Sequence, residues 1–194
     1  MIAIPSETEI LVVGAGPTGL ALSAELRRRG FEPLTVDKIA EGANTSRAVV
    51  IHARTLEVLE PLGVVPQLLE EGLQVPIFRI REHDTPLIAI DFGEIPSKYA
   101  FTLMCPQNRT EAFLLARLQA LGGEVVRPRE VTGLTVTEDG ARVQITGEGS
   151  TQEVAARWVI GCDGMHSRVR EAAGIAFRGA EYELNFALAD VRMD

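Results

Sequence analysis

The residues best equipped for chemistry come early, in GAGPTGL, Gly14 to Leu20, where three glycines stand at the spacing GxGxxG. Glycines in this arrangement serve the binding of a phosphate anion. Gly14 permits a tight turn, Gly16 lets the backbone approach a pyrophosphate with no Cβ in the way, and Gly19 allows a helix to pack closely on a strand. Asp37 follows eighteen residues after Gly19. A carboxylate there can accept hydrogen bonds from the hydroxyl pair of a ribose, and its charge disfavours a 2′-phosphate.

The elements around these residues must deliver them to one place. EILVV, Glu9 to Val13, has the length and β-branched content of a buried strand. From Pro17 to Arg29 apolar residues recur at Leu20, Leu22, Ala24 and Leu26, and three arginines followed by Gly30 close the segment. Basic last-turn residues and a terminal glycine are helix-ending signals, so this stretch is expected as a helix whose N-terminus faces the phosphates. A second strand, Pro33 to Val36, then leads directly into Asp37. Strand, glycines, helix, strand and terminal acid in this order point to a dinucleotide site, which these residues alone leave open to FAD or NAD.

Beyond Lys38 the pattern leaves the alternating βαβα scheme. Glu41 to Ser46 is a polar loop, and ARTLEVLEPLGV reads as a helix with Leu56, Leu59 and Leu62 on one face, bracketed by Arg47 and Arg54. For Arg54, inside that helix, an ion pair with Glu57 at i+3 is a sufficient explanation. IFRIREHD and PLIAIDFG predict a hairpin over Ile77 to Gly93, and a helix is expected from Gln107 to Leu121. The stretch VVRPREVTGLTVTEDGARVQITGEGSTQEVAARWVIGCDG then reads as a three-stranded antiparallel meander leading into ARWVIG, a strand apolar enough for the parallel sheet. Ser167 to Ala173 predicts a short helix, and YELNFALADV a final strand without partners.

Composition narrows the class. The 194 residues are 46% hydrophobic, enough for a real core, and 19 Lys and Arg against 27 Asp and Glu give a net charge of -8. That sign argues against nucleic acid and anionic lipid as partners. Cys105 and Cys162 form no disulfide framework, and His52, His83 and His166 stand singly, as ordinary surface or loop residues rather than a metal cluster. With no apolar run long enough to span a bilayer and no basic leader, a soluble protein of the reducing cytoplasm is expected.

The succession GAGPTGL, VDK, SRAVVIHARTLEVLEPLGV, CPQNRTEAFLLARL and WVIGCDGMHSRVREAAGI resembles the N-terminal half of the class A flavoprotein aromatic hydroxylases, closest to their polyketide and phenol hydroxylase branch. The resemblance runs over nearly the whole chain. It implies an α/β fold: a Rossmann-like FAD-binding domain over 1–76 and 98–180 with an antiparallel meander, and part of a β-sheet substrate domain over 77–97 and 181–194. FAD is the implied cofactor, NAD(P)H the co-substrate and a small phenolic or polyketide ring the substrate. Besides Gly14, Gly16, Pro17, Thr18, Gly19, Asp37 and Lys38, the implied cofactor contacts are Arg47 at the pyrophosphate or ribityl region and Gln107 at the ribityl hydroxyls. Val131 is placed, through its backbone, at the adenine edge. Asp163 and Gly164 form the DG pair that serves both FAD and the nicotinamide nucleotide, with Asp163 able to bind hydroxyls or orient a basic neighbour such as Arg168.

One departure bears on function. The family's second flavin fingerprint, a Gly-Asp pair followed by Ala-x-His, is not found in these residues, nor is most of the substrate domain. The expectation is an incomplete chain, with the remainder carried by a longer product or a second polypeptide, and no catalytic residue is assigned. Two other readings follow from the same residues: an NAD-dependent dehydrogenase or reductase, against which the meander argues because NAD domains continue in parallel βα units, and a non-catalytic nucleotide-binding or assembly module.

Overall fold

The computed structural model describes residues 4–42 and 50–179. Its first three elements are β1 (Glu7–Val13), α1 (Pro17–Arg28) and β2 (Leu34–Val36). β1 and β2 pair in parallel, Leu11 opposite Leu34 and Val13 opposite Val36. α1 starts at Pro17, where a missing N–H costs nothing in the first turn, and stops after Arg27 and Arg28 with Gly30 in the left-handed region at φ +88°.

The chain then forms β3 (Val50–Ile51), α2 (Ala53–Leu59), α3 (Val65–Glu71) and β4 (Leu73–Val75). The single helix expected over residues 53–64 is divided. A 3-10 turn covers Glu60–Leu62, and Gly63 adopts φ +76° before α3 begins. Pro61 has no N–H with which to continue the α-helical ladder, and Gly63 takes the left-handed conformation that ends a helix. Leu56, Leu59 and Leu62 are nevertheless all buried, as their spacing predicts. The Arg54 guanidinium lies 3.1 Å from Glu57, the expected ion pair.

β5 (Ile77–Glu82) and β6 (Thr85–Asp91) form the hairpin. β7 (Thr102–Met104) lies between β3 and β4 in a small antiparallel sheet, α4 (Gln107–Ala120) follows, and β8 (Val125–Val126) extends the parallel sheet beside β2. The meander is β9 (Glu130–Thr137), β10 (Gly140–Gly147) and β11 (Ser150–Gly161). Here the expectation of a meander strand followed by a separate apolar strand is corrected, because β11 is both. Its first half pairs antiparallel with β10 and its second half parallel with β1, with Ala155 and Ala156 paired on both sides. The resulting order is β8-β2-β1-β11-β10-β9. α5 (Arg168–Ala172) follows, with the Ser167 hydroxyl accepting from the Arg170 N–H at 3.0 Å. Arg47 and the strand expected after residue 181 lie outside the described residues.

Two cores clothe the sheet. Leu11, Val13, Val36 and Val126 share one with Val131, Val143, Ile145 and Val154 of the meander, so the sheet folds over itself along β11. Alternation turns Ile10 and Val12, also buried, to the opposite face. The other core joins Leu20 and Ala24 of α1 to Leu56, Leu68, Leu103, Leu114 and Leu118. Each such fully buried side chain contributes about 1.5–3 kcal/mol, which is what holds the carboxyl ends of β1, β2 and β11 in fixed relation.

Candidate functional site: a dinucleotide cleft at the carboxyl ends of the strands

The glycine-rich turn is wedged between two strand ends. The Gly14 N–H donates to the Val36 carbonyl at 2.8 Å, and the Cys162 N–H donates to the Val13 carbonyl at 2.7 Å. Gly14 has φ +97°, and a Cβ there would lie 2.4 Å from the Cys162 carbonyl oxygen. A Cβ on Gly19 would lie 1.9 Å from the Gly14 carbonyl oxygen, so this glycine is the contact surface between α1 and the turn. At Gly16 a Cβ would meet nothing within 4 Å. Gly16 is also the N-cap of α1, with no side-chain cap and no acidic residue in the first turn. The first N–H groups of α1 and the positive end of its dipole are thus left to an anion at the cleft.

Asp37, only 9% exposed at the end of β2, is tied to that turn. Its Oδ2 accepts from the Ala15 N–H at 2.5 Å and its Oδ1 from the Ile39 N–H at 2.8 Å. The carboxylate therefore organises the backbone of both flanking loops in addition to lining the cleft, a task the ribose reading did not include. Lys38 lines the same cleft.

The opposite wall comes from three distant segments. Gln107, the first residue of α4, donates its side-chain amide to Glu111 at 2.8 Å, which leaves the amide oxygen as the acceptor it offers. Val131 is a core residue of the edge strand β9, paired with Ile145. Asp163 accepts from the Ser167 hydroxyl at 2.5 Å and from the Arg168 N–H at 2.6 Å. It therefore anchors the start of α5 through backbone, while the Arg168 guanidinium turns to Glu171 at 3.0 Å. Gly164, at φ +79°, has open space where a Cβ would stand.

These segments surround one cleft of about 520 Å³, lined by Gly14, Gly16, Asp37, Lys38, Gln107, Val131, Asp163 and Gly164 among others. Pro17 and Thr18 line instead a neighbouring apolar groove between α1, α2 and α4, which Gln107 also borders. The cleft includes residues the motif reading passed over: Glu111, Arg127, Arg129 and His166. Only the pair of arginines in RPREV, just ahead of Val131, was a signal available in the sequence. Cys162 also borders the cleft, where burial and then the neighbouring Asp163 charge push its thiol up, so it is a neutral thiol rather than a nucleophile near pH 7. Among the described residues no group of three or more His, Cys, Asp or Glu is arranged to hold a metal ion, and no helix is long and apolar enough to cross a membrane.

The open Gly16, the uncapped helix start, the Asp37 carboxylate and the Gln107 amide place an anion site, hydroxyl acceptors and a neutral hydrogen-bonding group around one cleft, so the residues present fit FAD. Comparison with known proteins agrees. Residues 7–194 match the FAD binding domain family. The chain is 36% identical over 186 residues to the 12-dehydrotetracycline 5-monooxygenase/anhydrotetracycline 6-monooxygenase of Streptomyces rimosus subsp. rimosus, covering 95% of this chain and 36% of that protein. It is also 36% identical over 185 residues to the pentachlorophenol 4-monooxygenase of Sphingobium chlorophenolicum, covering 93% and 34%. The solved structure of the flavin-dependent monooxygenase PieE in complex with FAD and substrate superimposes with a TM-score of 0.80 at 26% identity, over 92% of this chain and 34% of that one. The chain thus spans about a third of the length of the relatives it matches.

Proposed function

The chain belongs to the FAD binding domain family, among the class A flavoprotein aromatic hydroxylases, and from that premise we propose that it forms the ADP-binding end of an FAD- and NAD(P)H-dependent monooxygenase acting on a phenolic or polyketide ring. The observation that carries this reading is the convergence of Gly16, Asp37, Gln107 and Asp163 on one cleft from four separate stretches of chain.

In this reading the start of α1 neutralises the pyrophosphate, Asp37 receives the ribose hydroxyls beside its two backbone bonds, and the Gln107 amide oxygen accepts from the ribityl chain. Lys38 lies at the adenosine end, the Val131 backbone at the adenine edge and Gly164 where the backbone must come close. For Arg47, outside the described residues, the resemblance supports a contact at the pyrophosphate or ribityl region, which its forked charge suits. FAD, when bound, supplies the redox chemistry these side chains lack, carrying two electrons from NAD(P)H to dioxygen so that one oxygen atom enters the ring and the other leaves as water. Residues 1–76 and 98–180 serve this cofactor, and 77–97 with 181–194 belong to the substrate side.

The test is the spectrum of the purified chain. Heat-released flavin that chromatographs as FAD is the expected result. Colourless protein that binds NAD instead would establish the dehydrogenase reading, and protein that binds neither would leave only an assembly module.

A further inference from the structure

We propose that Arg127 is the positioning residue of the adenosine end of the cleft, an inference that rests on the FAD reading above. Arg127 is the first residue after β8, and its side chain is only 13% exposed. Its guanidinium reaches across to two loops remote in sequence. Nη1 donates to the carbonyls of Ile39 at 3.1 Å and Glu41 at 3.0 Å, and Nη2 donates to the carbonyl of Ala15 at 3.2 Å. The same Nη1 lies 3.7 Å from Asp37 Oδ1.

The backbone beside it adds two ties: the Asp37 N–H donates to the Val126 carbonyl at 3.2 Å, and the Arg129 N–H donates to the Asp37 carbonyl at 2.7 Å. The segment from β8 to β9 is therefore a strap laid against the end of β2. Arg127 is the member of that strap that also reaches the glycine-rich turn. What it holds together are the two backbone segments, at Ala15 and at Ile39, whose N–H groups fix the Asp37 carboxylate. Asp37 can meet a ribose only in the orientation those segments impose, so Arg127 acts on the ribose through Asp37. A planar fork with several donors can serve three carbonyls at once, which a lysine ammonium on a flexible stem cannot reproduce. Its three carbonyl partners all lie in the loops at the cleft, so its removal acts first on the cleft wall, and the melting check below separates that from a loss of the fold.

The experiment compares wild type, Arg127→Met, Arg127→Lys and, as a control on an exposed meander ion pair, Arg142→Met, whose guanidinium lies 2.7 Å from Glu153. Each is titrated calorimetrically with FAD, ADP and FMN, and its fold is checked by circular dichroism melting. Arg127→Met is expected to weaken FAD and ADP by the same factor, about tenfold, with Arg127→Lys recovering less than half of that loss. FMN, which has no adenosine, should bind all four proteins alike, and Arg142→Met should match wild type throughout. Wild-type ADP affinity in Arg127→Met, an equal loss for FMN, or loss of the fold in both Arg127 variants would overturn the proposal while leaving the FAD reading intact. A wild-type chain that binds neither FAD nor ADP would overturn both.

Discussion

Gly16 and Gly19 stand three residues apart in one motif and carry opposite constraints. A methyl group at Gly19 would have to occupy the Gly14 carbonyl, a backbone atom with nowhere to go, whereas a methyl at Gly16 would enter open cleft with an ordinary φ of −72°. Gly19→Ala is therefore a folding defect, expected to cost about 1–3 kcal/mol as overpacking does and to lower the thermal midpoint by several degrees. Gly16→Ala should change stability by less than about 0.5 kcal/mol yet weaken ADP and FAD, because the methyl stands where a pyrophosphate would. Melting curves and titrations on the two variants separate these cases, and a Gly16→Ala protein that binds as wild type would place the phosphates elsewhere. At this scale the sequence singled out the glycines and Asp37 by their spacing within a strand, helix and strand in order, and the structure brings Gly14, Gly16 and Asp37 to one cleft. It could not reveal that Asp37 bonds Ala15 and Ile39, because those partners are backbone N–H groups available at any residue. Arg127 was visible only as one of two arginines ahead of Val131, and its role was hidden for a related reason: its partners are carbonyls as far as 112 positions away, which leave no mark on residue type.

Among the elements, α1 was the most legible, since its apolar spacing, basic last turn and glycine all agree with its position between β1 and β2. Its last turn also carries the clearest electrostatic signature of the molecule. Glu25 accepts from Arg28 at 2.7 Å and from Arg29 at 2.6 Å, and the Arg28 hydrogen bond leads the effects that hold its carboxyl down at about 2 instead of 4.5. A carboxylate whose folded pKa is depressed adds stability that is fully present above its unfolded pKa and is lost as pH falls through its folded value. Glu25→Gln should therefore cost about 1 kcal/mol or less at pH 7, with the gap from wild type constant down to about pH 5 and closing progressively below it. Thermal melts of both proteins from pH 3.5 to pH 7 check this, and a gap independent of pH would assign the effect to something other than charge. Shorter elements were less legible for reasons of length. β3, β4 and β7 have two or three residues each, too few for any period to register, and exist because long-range pairing completes them. α3 was not read at all, since the helix expected over residues 53–64 stops before Val65, and within that helix Pro61 and Gly63 already marked where the α-helical ladder ends. The meander was readable from its turns, but the identity of its last strand with the parallel strand was not, because no residue type marks where β11 changes partners.

On the scale of the whole molecule, the cleft and the cores account for one side of the protein, while the hairpin follows a different logic. Across β5 and β6, Phe78 pairs with Ile90 and Ile80 with Ile88, so four large apolar side chains share one face. They are 42–49% exposed, although two adjacent strands are marginal by themselves and an apolar sheet face is normally covered. None of the four lines the dinucleotide cleft. Cofactor binding and the hairpin face are thus separable properties of the chain. This fits a division in which the cleft serves FAD and the hairpin serves the substrate side, consistent with a chain that spans about a third of its relatives' length. Ile88→Thr combined with Ile90→Thr keeps β-branched residues in β6 while removing most of the greasy surface from one strand. The double variant of the 194-residue chain is expected to bind less of a hydrophobic dye such as anilinonaphthalene sulfonate and to self-associate less in sedimentation, with ADP and FAD affinities within about twofold of wild type. A marked loss of nucleotide affinity would show that the hairpin and cleft are coupled. Unchanged dye binding would show that this face is already covered in the isolated chain, and the division of labour between hairpin and cleft would have to be redrawn.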